Sequence, residues 1–163
     1  STTREPARLP QARAQFAAAR VRPLAAPVLV DALLSAGGRG EPRPGELPGL
    51  YQRTRERLIA ELGRIQPERP EPGQATPAEA LWWLNGRAPT GLSRGLALRE
   101  VLALPTPAAQ VRALFLRTLS RPPRAEELSA AKSYLADHGG APKAALSDLL
   151  WSLLATSEFS SNH

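Results

Sequence analysis

Two histidines, three aspartates and no cysteine are what this 163-residue chain offers to catalysis or metal binding. The missing thiol excludes disulfides, thiolate nucleophiles, zinc-thiolate sites and covalent haem attachment. His138 follows Asp137 at the end of an apolar-periodic segment, where a helix dipole favours a cationic imidazole, so a structural role outweighs acid-base work. His163 is the last residue and is assigned to a closing turn. Asp148 and Glu158 carry ligand chemistry, but Arg112, Arg117 and Arg121 offer them ion-pair partners, and pairing is the better reading. Catalysis needs a nucleophile beside a base, or paired carboxylates in a pocket. No spacing here spells either, so the expectation is a non-enzymatic chain with no catalytic residue, metal or cofactor.

The tryptophans are the other residues with binding chemistry. Trp82 and Trp83 are adjacent, so on a helix they point about 100° apart. At least one is expected in the core, while the other could line a groove and stack on a sugar face or a base. Trp151, on the flank of the last helical stripe, is a third candidate for a ligand or interface surface.

The elements that must hold these residues are helical. Hydrophobic residues make up 42% of the chain and aromatics 5%, with no Met and an excess of Leu and Ala, a bias that favours helices over strands. Leu24, Val28, Leu29, Ala32 and Leu33 repeat at helical spacing before a Gly37-Gly38 stop, and Tyr51, Thr54, Leu58, Leu62 and Ile65 form a second stripe. Thr76-Pro77-Ala78-Glu79 is a capping box, opening a helix that Asn85-Gly86 ends. Ser93 is expected to cap a segment through Leu96, Leu98, Val101 and Leu102. Thr106-Pro107 then opens a helix bearing Val111, Leu114, Phe115 and Leu119. Arg121-Pro122-Pro123 turns the chain before Leu128, Ala131, Tyr134 and Leu135, and Pro142 opens the widest stripe: Leu146, Leu149, Leu150, Leu153 and Leu154. The 17 prolines fit this reading because Pro77, Pro107 and Pro142 sit where a first helical turn needs no amide proton.

The expected fold is therefore all-α: a compact bundle of about six to eight short helices with long Pro/Gly-rich loops at 37–48 and 67–76, closing on a helical hairpin. Residues 1–163 suit one domain. Residues 1–20, with a thin Ala-rich helix from Pro10 to Arg20, read as a loosely packed arm.

A formal charge of +6 and a pI near 10.9 raise the question of an acidic partner. Arg53, Arg55, Arg57 and Arg64 could make a basic helix, with Arg4, Arg8, Arg13, Arg20 and Arg22 as an arm. Glu56 and Glu61 interrupt that helix, and no nucleic-acid-binding motif is present. Only Lys132 and Lys143 among the 21 basic residues are lysine, a skew that GC-rich coding also produces. Nucleic acid is not the expected partner. No apolar run approaches the ~20 residues of a membrane span, and the leading Ser-Thr-Thr-Arg-Glu-Pro lacks a signal-peptide core, so a soluble piece of a longer protein is expected.

Three blocks carry a resemblance: Val21-Arg-Pro-Leu24 with Asp31-Ala-Leu-Leu34, then Glu79-Ala-Leu-Trp-Trp-Leu-Asn-Gly86, then Arg112 to His163. Within the last, Leu116-Arg-Thr-Leu-Ser-Arg-Pro-Pro123, Ala125-Glu-Glu-Leu128, Asp148-Leu-Leu-Trp151, Ser157-Glu-Phe159 and Asn162-His163 are the most specific pieces. In this order they resemble the C-terminal domain of large exported planctomycete proteins that often carry a cytochrome c-like module. The resemblance implies an exported (periplasmic or cell-surface) helical module packed against neighbouring domains of a longer parent. It implies a setting of polysaccharide breakdown or electron transfer, with Arg121, Asp148, Glu158, Phe159, Asn162 and His163 as structural anchors. A fainter likeness is to helical repeats of bacterial surface and calcium-binding secreted proteins. The chain departs from the family at Ala25 and Arg124, where Thr or Ser is usual, so two helix-capping hydroxyls are missing. It departs again at Ser160 and Ser161, where apolar residues are usual, so a loosely docked tail is expected. No Cys-x-x-Cys-His is present, and no redox role is implied. The alternative function is accessory polysaccharide binding through a tryptophan-lined groove.

Overall fold

The computed structural model describes residues 22–40, 49–66 and 76–162. In chain order these form β1 (Arg22–Pro23), α1 (Ala26–Ala36), α2 (Leu50–Gly63), α3 (Pro77–Asn85), α4 (Arg87–Ser93), α5 (Leu96–Leu102), α6 (Pro107–Leu119), α7 (Ala125–Asp137), α8 (Pro142–Leu154), α9 (Ser157–Ser160) and β2 (Ser161–Asn162). The fold is all-α. Among the described residues, eight helices have seven or more residues, and α9 is a closing turn of four.

Helix α8 sits at the centre, as its wide leucine stripe predicts. Leu146, Leu150, Leu153 and Leu154 are buried together with Ala145 and Ser147, and α4, α5, α6, α7 and α9 all pack around them. A fully buried Leu contributes roughly 1.5 to 3 kcal/mol, against about 0 to 1 kcal/mol for a surface ion pair, so this stripe dominates the energetics. Leu149 turns partly outward instead. Much of the remaining core comes from Leu29, Val30, Leu33 and Leu34 of α1, Leu58 and Leu62 of α2, Leu98 and Val101 of α5, and Val111, Leu114 and Phe115 of α6. These form one continuous cluster with α8.

Local rules set the helix ends. Proline occupies the first turn of α1, α3, α6 and α8, where its missing amide proton costs nothing. Thr76 and Thr106 cap α3 and α6 through their hydroxyls, and the Thr76–Glu79 box is closed in both directions at 3.1 and 2.8 Å. Gly38 supplies the left-handed stop after α1 with φ 79°, a conformation that a Cβ disfavours.

Several expectations need correction. The buried face of α1 is rotated from the predicted stripe: Val30 and Leu34 are buried, whereas Val28 is exposed. The Arg87–Ser93 segment, between the Asn85-Gly86 stop and the expected Ser93 cap, is helix α4. Its proline falls within the first turn, where a missing N–H is tolerated. Ser93 consequently ends α4 and donates to the Thr90 carbonyl at 3.0 Å, and Gly95 rather than Ser93 precedes α5.

The tail is not loose. Ser161 and Asn162 pair antiparallel with Pro23 and Arg22, and the Leu24 amide donates to the Ser160 carbonyl at 2.8 Å. Backbone pairing and buried Phe159 hold the tail. Of the predicted loops, 41–48 and 67–75 lie outside the described residues, as do the 1–20 arm with its Pro10-to-Arg20 helix and His163.

Candidate functional site

The three tryptophans form a chain of contacts. Trp82 is buried and donates its indole N–H to Glu61 on α2 at 2.7 Å. Trp83, half-buried, meets Trp82 edge-on at 5.1 Å and Phe159 at 6.4 Å. Trp151 donates to the Trp83 carbonyl at 3.3 Å, tying α8 to α3. The Trp82–Trp83 pair is thus committed to packing. On the same helix, Leu81 and Leu84 are 59% and 61% exposed. Three residues apart, they share one face of α3.

A second surface runs along α8. Ala144, Asp148, Trp151 and Ser152 repeat at helical spacing, and they line two clefts that share Asp148. The first, about 440 Å3, is lined by Arg94, Leu98, Pro142, Lys143, Ser147 and Asp148, among others. The second, about 420 Å3, is lined by Tyr134, Asp148, Leu149, Trp151 and Ser152. Asp148 is exposed and accepts from the Tyr134 hydroxyl at 3.3 Å. Burial first, and then the Asp148 carboxylate, push the Tyr134 phenol up. His138 stacks on Tyr134 at 4.3 Å, and its Nδ1 lies 2.8 Å from the Tyr134 carbonyl, which requires the proton on that nitrogen. Arg94 and Lys143 make no ion pair among the described residues. At the floor of the first cleft, buried Ser147 meets Ser93 at 3.4 Å. Among the described residues lining the cleft there is no histidine to activate that pair.

The third cluster is built on Arg121. Its guanidinium bonds Glu158 at 2.5 and 2.8 Å and Glu127 at 2.8 and 2.9 Å, and reaches the Pro122 carbonyl at 3.2 Å. The bond to Arg121 is the main reason why the Glu127 carboxyl falls from its ordinary 4.5 to about 2, and the Arg124 amide adds to it. The two carboxylates in turn hold Arg121 further above its already high value. The guanidinium also lies 5.6 Å from the Phe115 ring centre. One side chain therefore joins the end of α6, the start of α7 and the tail.

The expected pairing of Glu158 with Arg121 is present, but that of Asp148 is not. Arg121 is taken by Glu127 and Glu158, and Arg117 pairs with Glu100 at 2.5 Å. Asp148 projects from the α8 surface beside Tyr134 instead. Phe159 packs in the core and Asn162 contributes through its backbone. The basic helix loses one of its cations to structure: Arg55 grips Asp31 at 2.6 and 2.8 Å, which lowers the Asp31 carboxyl.

Among the described residues, no three His, Asp or Glu side chains gather as metal ligands, and no helix is long and apolar enough to cross a membrane. Sequence reasoning missed Arg94, Lys143, Ser147 and Tyr134. The available signal was a second periodicity on α8, 144–148–152, running beside the leucine stripe. The chain matches no protein-family model, nor does any curated protein or solved structure match it.

Proposed function

We propose that this chain is a non-catalytic helical module that docks a neighbouring region of a longer exported parent protein through the outer face of α3. The observation that carries the reading is the exposure of Leu81 and Leu84 on a helix whose other side is fixed by Trp82 and Trp83. Paired exposed leucines on a rigid helix suit an apolar contact with a partner surface. The resemblance to a terminal domain of large exported proteins supports a partner within the same polypeptide.

The test is retention of the remaining parent domains on this immobilised module. A Leu81→Glu/Leu84→Glu variant keeps its helical content and melting temperature, because both side chains are exposed, and loses retention. If the unmodified module retains nothing, or the charged variant retains as much, the docking reading fails.

A second reading, polysaccharide binding, draws support from a different surface than the sequence suggests. The Tyr134–Trp151 cleft, rather than the Trp82–Trp83 pair, offers aromatic side chains next to a carboxylate and a hydroxyl, the usual elements for holding a sugar ring.

A further inference from the structure

We infer that the outer face of α8 recognises an acidic sugar, a uronate-type unit, across the two clefts that meet at Asp148. This rests on the polysaccharide reading and names its ligand class. The second cleft provides Trp151 and Tyr134 as apolar ring surfaces, with Asp148 and Ser152 able to bond hydroxyl groups. The first provides two cations, Arg94 and Lys143, that no carboxylate of the described residues neutralises. From Ala144 to Ser152 the face extends about 12 Å at the helical rise of 1.5 Å per residue. Its chemistry changes along that length from cationic to carboxylate to aromatic.

That order selects among anions. The backbone of a DNA strand has no free ring hydroxyl to donate to Asp148, so the phosphate nearest that carboxylate is only repelled. A uronate carries its charge on one edge and hydroxyl donors around the rest of the ring. It can direct its carboxylate to Arg94 and Lys143 while donating hydroxyl protons to Asp148 and laying its apolar face on Trp151. A neutral sugar satisfies the aromatic cleft but leaves both cations unused.

The experiment is calorimetric titration of the whole chain with a short oligogalacturonate, a neutral gluco-oligosaccharide, single-stranded DNA and a peptide with a free C-terminal carboxylate, together with tryptophan fluorescence. Oligogalacturonate binds saturably and perturbs the fluorescence, while the neutral sugar binds about tenfold or more weakly. An Arg94→Ala/Lys143→Ala variant weakens the acidic sugar about tenfold, brings it level with the neutral one and removes the salt dependence. Both residues are exposed, so this variant folds. Trp151→Ala weakens both sugars, and because Trp151 also bonds Trp83, circular dichroism accompanies it. Equal binding of both sugars with no effect of the double variant overturns the acid selectivity and leaves the polysaccharide reading standing. Binding of neither sugar removes both. Tighter binding of DNA or of the peptide overturns the inference in favour of that ligand.

Discussion

Arg121 concentrates more polar bonding than any other side chain described here, and its consequences are chemical as well as mechanical. A guanidinium shared by two carboxylates is a bidentate clamp that lysine cannot reproduce. Arg121→Ala should lower the melting temperature by a few degrees in thermal unfolding, and Arg121→Lys should recover only part of it. Acid should erase the difference. Because the folded Glu127 pKa lies near 2 and its ordinary value is 4.5, the contribution is complete above pH 4.5 and is lost as pH falls towards 2. Melting curves of Arg121→Ala and the unmodified chain should converge over that window. A gap of constant size down to pH 2 would contradict the assignment. The Glu158 partnership of Arg121 could be anticipated from its planar fork and the carboxylate near the tail. Glu127 could not, because its position opposite Arg121 depends on the turn at Pro122-Pro123. Asp148 was misjudged for a related reason: spacing along the chain does not say which arginines are already taken.

At the scale of elements, two N-cap positions lack a capping side chain. Ala25 precedes α1 and Arg124 precedes α7, both with extended backbone and no side-chain acceptor for the first turn. At α7 half of a capping box exists, since Glu127 already accepts from the Arg124 amide at 2.6 Å. Arg124→Ser should complete it, and Ala25→Ser should cap α1, each raising stability by about 0.5 to 2 kcal/mol in chemical denaturation. No gain at either site would mean that neighbouring groups already satisfy those amides. Helix boundaries were readable wherever proline and a hydroxyl or glycine coincide, as at Thr76-Pro77 and Thr106-Pro107. They failed at α4, where Pro89 and Gly91 resemble breakers and only the packing of α4 against α8 and α1 makes the segment helical.

For the molecule as a whole, stability rests on α8 more than on any surface charge. Leu146, Leu150 and Leu154 are fully enclosed, and no shift of their neighbours can refill a gap without disturbing several helices at once. Leu150→Ala should cost about 2 to 5 kcal/mol, measured by denaturant unfolding, whereas Leu116→Ala, on the exposed side of α6, should be close to neutral. The all-α class was legible in composition because Leu and Ala outnumber β-branched residues. The candidate ligand surface was not, since it depends on α4 and α7 bringing Arg94 and Tyr134 alongside α8, and nothing in the spacing of those residues anticipates the meeting.

The ladder between Arg22–Pro23 and Ser161–Asn162 has a mechanical consequence. Its strands are antiparallel, with Arg22 opposite Asn162, so these two residues lie side by side at one end of the ladder. Tension applied across those two points opens the ladder rung by rung, as a zipper opens, rather than loading its bonds together in shear. Under pull the tail would peel away first, with the leucine core still intact behind it.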